Sequence, residues 1–542
     1  MLNLARPLYA AVFAVGMAFT SVASAQDRPP QVKIDSGNLE GTLDSAGVRV
    51  FRGIPYAAPP IGDLRWREPQ PAKPWTGVRS ARDFGDRCQQ GPFPAYKPIG
   101  GSGMSENCLF LNVWSASDSA RRPVLVWIHG GGLGYGYSNQ ADYDGDSFVD
   151  KGLVYVSLNY RVGVLGYLAH PELTAESPNM SSGNYGALDQ LAALQWIRRN
   201  IAAFGGDPDN VTIFGESAGS VSVSALTASP MAKGLFRRGI GDSGASLGST
   251  VDTLPVRPLA WAEKRGQTFM QVAKANSLAE LRAMPADRLV EVSNNGEGHM
   301  FHPGLFAPTI DGYFLKEAPE QTFARGAQNN VDLIAGWNLD EGKTFMKISR
   351  HPGTCEPVWK TAQTPSAFVA QAEKTFGKSA PEFLKMHPHA TEAESIASAH
   401  YMVGDMAIAY PTWRWADLQA RNDPTNVYLF FFKKATPAQW QGGAPSHGAE
   451  VPYAFDNLKQ IATSWSDADY QVATQMSTYY ANFAKTGNPN GTGLPRWPTY
   501  KPSDPRRMVF GERGAEVEAT PVAPLQFIDR NRSAGPWCQD LM

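Results

Sequence analysis

The sequence predicts an α/β fold with a central, mostly parallel sheet flanked by helices, and three observations carry that reading. Continuous apolar runs at 123–128, 153–158 and 211–214 read as strands buried on both faces. A helical stripe lies between the second and third runs, with Leu191, Leu194, Ile197, Ile201 and Phe204 on one face, and Gly205 stops it. Strand, helix and strand in that order argue for parallel neighbours.

The remaining elements follow in order. Residues 26–84 hold short strand-like stretches and proline-rich turns such as Pro55-Tyr56-Ala57-Ala58-Pro59-Pro60. From about 255 to 400 the chain reads as mostly helical. Ser277 with Glu280 forms a capping box, Thr364-Pro365 opens another helix and Gly377 follows its end. Such helices are expected to cap the sheet. Further strand-like runs lie at 331–335 and 426–432. No repeat, low-complexity tract or linker divides the chain, so residues 26–542 read as a single domain.

With 542 residues, 43% apolar and 18% charged, the chain can bury a large core, which sets aside disordered and collagen-like classes. A net charge of −2 and scattered charges leave no nucleic-acid footprint. The first 25 residues read as a secretory leader: Arg6, an apolar stretch at 8–19, and the small-residue site Ala23-Ser24-Ala25 before Gln26. That stretch is shorter than the roughly 20 residues a membrane span needs, and no later segment is long and apolar enough. The mature chain is therefore expected to be secreted or periplasmic, with no membrane span. Export permits disulfides. The four cysteines, Cys88, Cys108, Cys355 and Cys538, allow three connectivities, and spacing does not choose among them. Without C-x-x-C pairs no zinc site is expected.

The chemistry concentrates in a few stretches. Gly215-Glu216-Ser217-Ala218-Gly219 follows a strand directly, and its glycines allow the tight turn that lifts a serine hydroxyl clear of the backbone. His129-Gly130-Gly131-Gly132 follows the 123–128 strand, so its unobstructed N–H groups can pair with that of Ala218 as an oxyanion hole. A serine hydroxyl needs a base. Of nine histidines, His129 and His170 precede the serine and are set aside by the serine–acid–histidine order. His447, in a small-residue loop after the 426–432 strand, is the candidate; His387, His389 and His400 fall in helical or polar stretches. The acid should follow a strand between the two. Glu341, after 331–335, is preferred, Asp340 competes, and Asp311 reads as a turn residue before Gly312.

These residues together resemble the type-B carboxylesterase and cholinesterase family. The likeness runs through Phe51-Arg52-Gly53-Ile54-Pro55-Tyr56-Ala57, Ser105-Glu106-Asn107-Cys108-Leu109-Phe110, Gly183-Asn184-Tyr185-Gly186, and Lys485-Thr486-Gly487-Asn488-Pro489. The resemblance implies the α/β-hydrolase fold with helical cap insertions and a serine esterase that works through an acyl-enzyme without cofactor or metal, on a small-molecule ester. It implies Ser217, Glu341 and His447 as the triad, which settles Glu341 over Asp340. It implies Gly131, Gly132 and Ala218 as oxyanion donors and a Cys88–Cys108 disulfide. Glu216, His302 and Gly304 are the expected substrate-binding residues. Cholinesterases carry a cation-binding tryptophan between the first two cysteines; residues 89–107 offer only Phe93 and Tyr96 as aromatics, so choline esters are not the expected substrate. His302 and Gly304, in place of bulky aromatics, imply a roomier acyl pocket, and Leu133 replaces the family's usual phenylalanine. Two rival readings are a non-catalytic binding protein on the same fold, and the same triad acting on amides, thioesters or lactones.

Overall fold

The computed structural model describes residues 29–44, 46–92, 103–117, 120–248, 256–294, 306–346, 364–421, 425–438 and 440–532. Its centre is an eleven-stranded sheet. From edge to edge the strands are Gly514–Ala519, Arg506–Gly511, Val427–Phe432, Asp332–Asn338, Arg238–Asp242, Gly206–Glu216, Arg122–Ile128, Val154–Leu158, Phe110–Ser115, Arg49–Pro55 and Thr42–Leu43. The strands from Arg506–Gly511 to Val154–Leu158 pair in parallel, and the outer strands add antiparallel edges on both sides. A separate three-stranded sheet is formed by Gln31–Ile34, Gly37–Glu40 and Val78–Ser80.

The apolar runs are strands because both faces of the sheet are covered. Alternate residues of Arg122–Ile128 enter two different cores: Val124, Val126 and Ile128 join one, Leu125 and Trp127 the other. The first core receives the buried faces of Tyr185–Asn200 and Ala218–Ala228, through residues such as Leu191, Leu194, Ile197, Val221 and Leu226. The second receives Asp467–Thr486, through Val472, Met476, Tyr479, Tyr480 and Phe483.

Local signals explain most boundaries, and the differences from expectation are physical. The helix expected at 189–204 starts earlier, at Tyr185, and its last turn tightens to a 3-10 helix at Ile201–Phe204 before Gly205 takes φ +85°. Ser277 accepts a hydrogen bond from the Glu280 amide at 3.2 Å, but the Glu280 carboxylate returns to the Asn276 amide at 2.8 Å, so the expected box is not reciprocal. Full capping boxes occur instead at Thr391 with Glu394 and at Ser466 with Asp469. The 211–214 strand extends to Gly206–Glu216 across a register shift.

Because the central strands are parallel, their C-terminal ends share one rim. The loops after Ile128, Glu216, Asn338 and Phe432 therefore carry His129, Ser217, Glu341 and His447 toward the same place.

Trp127 tests how far that rim depends on the second core. It is fully buried, with ring centroids 4.5 Å from Phe214, 4.8 Å from Tyr143 and 4.9 Å from Phe455. Trp127→Ala is expected to cost about 3–5 kcal/mol of stability, read as a lower urea midpoint with an unchanged m-value.

Candidate active site

Ser217 occupies the turn between the Gly206–Glu216 strand and the Ala218–Ala228 helix at φ +56°. A non-glycine residue there carries strain on the order of 1–3 kcal/mol, which the surroundings must hold. They do so in two ways. The Ser217 amide donates to the Asp242 carbonyl at 2.8 Å. The flanking glycines let the elements close on each other: a Cβ at Gly215 would lie 2.4 Å from the Gly219 carbonyl carbon, and one at Gly219 would lie 2.0 Å from the Ile128 oxygen.

The His447 imidazole stands between the serine and an acid. Its Nε2 is 2.7 Å from Ser217 Oγ and its Nδ1 is 2.7 Å from Glu341 Oε2. The acceptor-only carboxylate assigns the Nδ1 proton, leaving Nε2 to accept from the serine hydroxyl. The edge-to-face ring of Phe345, 4.7 Å away, limits how the imidazole can turn. Glu341 is 1% exposed, and its Oε1 accepts from Ser243 Oγ at 2.7 Å and the Asn338 amide at 2.8 Å. The acid and histidine loops are also joined directly, by Asp340 N–H to the Pro445 carbonyl and by Asn338 Nδ2 to the Ser446 carbonyl, both at 2.9 Å. Asp340 takes another partner, His400 Nδ1 at 3.1 Å. Asp311 accepts from the Tyr313 and Leu315 amides, as a turn residue does.

More carboxylates crowd below the rim. Glu216 Oε1 lies 3.3 Å from His447 Nε2. Burial pushes Glu216 up to about 8 against the pull of His447, and burial with Glu341 pushes Glu450 up to about 7. Burial and Glu450 also raise Asp242, whose Oδ1 accepts from Tyr480 at 2.9 Å. For His447, burial acts downward, but Glu216 and Glu341 outweigh it and lift the imidazole to about 9. A proton on Glu216 removes the largest upward push on the imidazole. Glu216 and His447 therefore titrate as a pair, and the neutral imidazole goes with the protonated carboxyl.

The glycine loop lies against this group: a Cβ at Gly130 would sit 3.2 Å from Ser217 Cβ. Gly131 and Gly132 take φ +106° and +63°, and the N–H of neither has a backbone acceptor among the described residues. His129 anchors the loop from beneath. It is fully buried, stacks on Tyr160 at 4.3 Å, and has Nδ1 2.9 Å from the Gly130 carbonyl, while Tyr160 Oη donates to the His129 carbonyl at 2.8 Å. Burial lowers its pKa to about 4 in spite of the Gly130 carbonyl, so the ring is neutral. Leu133 is buried at φ +61°, and its carbonyl accepts from the Gly163 amide at 2.6 Å.

The structure thus brings Ser217, Glu341, His447, Glu216, Ala218 and the Gly131–Gly132 pair to one rim. Cys88 and Cys108 are bonded. His302, Gly304, Phe93, Tyr96, Cys355 and Cys538 lie outside the described residues. Sequence reasoning missed Ser243, Asn338 and the role of Glu450. Glu450 lies three residues after His447, but nothing in the sequence shows that it receives the Asn338 side chain. Ser243 had only its place at a strand end to mark it.

The sequence model of the carboxylesterase family matches residues 28–524. The chain is 33% identical to fumonisin B1 esterase of Sphingopyxis macrogoltabida, covering 94% of this chain and 92% of that one. It is 34% identical to para-nitrobenzyl esterase of Bacillus subtilis, covering 86% and 91%. A Geobacillus stearothermophilus carboxylesterase structure superposes with a TM-score of 0.76 at 31% identity, covering 92% and 99%. The fold is that of the α/β-hydrolases, and the chain belongs to the carboxylesterase family, as a serine hydrolase of carboxylic esters.

Proposed function

We propose that Ser217 is the nucleophile, His447 the general base and Glu341 the residue that orients the imidazole. The observation that carries this is the unbroken hydrogen-bond chain from Ser217 Oγ through His447 to Glu341, 2.7 Å at each link. Neutral His447 takes the hydroxyl proton as Oγ attacks the ester carbonyl. Glu341 stabilises the imidazolium that forms. The N–H groups of Gly131, Gly132 and Ala218 receive the oxyanion, each donor contributing about 3 kcal/mol to the barrier reduction. His447 then protonates the leaving alcohol, and water repeats the sequence on the acyl-enzyme. The helix dipole of Ala218–Ala228 points its positive end at the same oxygen.

The substrate is read as a small-molecule carboxylic ester, with Glu216, His302 and Gly304 as its proposed binding residues. The chain is read as exported after cleavage behind Ala25, so the N-terminus of the mature protein is expected at Gln26.

Two measurements test the assignment. Ser217→Ala is expected to lower kcat on p-nitrophenyl butyrate by on the order of 10⁵ while leaving the unfolding midpoint nearly unchanged; a fluorophosphonate should label the wild type at Ser217 and not the variant. The pH profile tests the base. His447 must be neutral to act, so kcat/KM falls as pH drops through the apparent pKa of the Glu216–His447 pair. Glu216 raises the imidazole pKa, so Glu216→Gln should move that acid limb to lower pH. A limb that stays in place or moves upward would contradict the coupling.

A further inference from the structure

A second cavity, of about 160 Å³, opens beside the acid loop, with Asn338, Glu341, Asp405, Phe431, Arg507 and Leu525 in its walls. Neither Ser217, His447 nor the glycine loop lines it. A single water needs roughly 10–15 Å³, so the space suits a ligand of several heavy atoms. Arg507 is the one cation among the described wall residues. It is 7% exposed, its guanidinium lies 3.9 Å over the Phe431 ring, and its Nε has no hydrogen-bond partner. Glu518 is 3.9 Å away, beyond hydrogen-bond reach, and accepts instead from Lys433 at 2.5 Å.

A buried guanidinium without hydrogen bonds is costly, and its fork matches a carboxylate. The negative neighbours are largely committed. Glu341 spends its oxygens on His447, Ser243 and the Asn338 amide. Asp405 opens the π-helical turn Asp405–Ala409, a feature often found at functional sites. Burial pushes it up to about 7 against the pull of Arg507, so near neutrality it can share a proton with an anion. Trp337, Phe431, Pro524 and Leu525 supply apolar walls.

We infer that this cavity binds a small carboxylate with a short apolar chain, its oxygens on the Arg507 fork and its chain against Trp337, Phe431 and Leu525. That is the chemical class of the acid an esterase releases, and the ligand sits beside Glu341, so the reaction's own product class has a second place to bind.

Butyrate is the probe, with affinity read by calorimetry and by the rise in Tm on the full-length protein. Wild type and Ser217→Ala should bind alike, which separates this site from the catalytic assignment. Arg507→Met should weaken binding on the order of tenfold or more. Ala409→Leu, which adds bulk at another wall residue of the cavity, should abolish it and serves if the arginine variant does not fold. The groups facing Asp405 are Arg507 from the Arg506–Gly511 strand, Tyr401 from the preceding helix and Glu341 from the acid loop. Their balance predicts tighter binding at pH 6 than at pH 8, a difference that Asp405→Asn should flatten. No binding to the wild type, or wild-type affinity in a folded Arg507→Met or Ala409→Leu protein, overturns the inference.

Discussion

One buried carboxylate holds the rim of this sheet together. Glu341 is almost wholly out of water, where an uncompensated charge costs several kcal/mol. Its compensation comes from three strand ends at once: Ser243 after Arg238–Asp242, the Asn338 amide at the end of its own strand, and His447 after Val427–Phe432. Those strands are neighbours in the sheet. The Ser217 amide bonded to the Asp242 carbonyl adds the fourth neighbour. Satisfying one acid therefore fixes the relative positions of Ser217, His447 and Glu341.

The same low-dielectric setting shapes the charge states. Glu216, Glu450 and Asp242 are all pushed upward by burial; Glu450 adds to the rise of Glu216 and of Asp242, and Glu341 to that of Glu216 and Glu450. A second full negative charge beside Glu341 is disfavoured, so protons are retained within the cluster near neutral pH. The imidazole is the only cation that can form among them, so its charged form is favoured by the surrounding carboxylates and its charge is tied to that of Glu216. His129, stripped of charge by burial, acts differently: it is a neutral plate against Tyr160 on which the glycine loop rests.

Parts of the structure were plain in the amino-acid order and parts were not. The strands at Arg122–Ile128, Val154–Leu158 and Val427–Phe432 announce themselves through continuous apolar residues. The Arg238–Asp242 strand does not. It reads Arg-Gly-Ile-Gly-Asp, a poor strand former by propensity, and it is extended because of what surrounds it. A Cβ at Gly241 would lie 2.3 Å from the Trp415 ring, so the glycine that weakens the local signal is what lets the helix pack. The hairpin of Arg506–Gly511 and Gly514–Ala519 escaped notice for a related reason: its outer strand alternates with glutamates and reads as polar surface.

The sequence by itself determined the class of chemistry and pointed to its proposed carriers. A serine between glycines after a strand, a histidine before three glycines, and an acid and a histidine after later strands are local patterns, and local sterics and hydrogen bonding are written in neighbouring residues. Only the tertiary structure decided who stands around them. The pairing of Glu341 with Ser243, the contact of Glu216 with His447 and the stacking of Arg507 on Phe431 beside the acid loop all join residues far apart in the chain. Burial and electrostatics depend on distance in space, and no single stretch of sequence carries that distance.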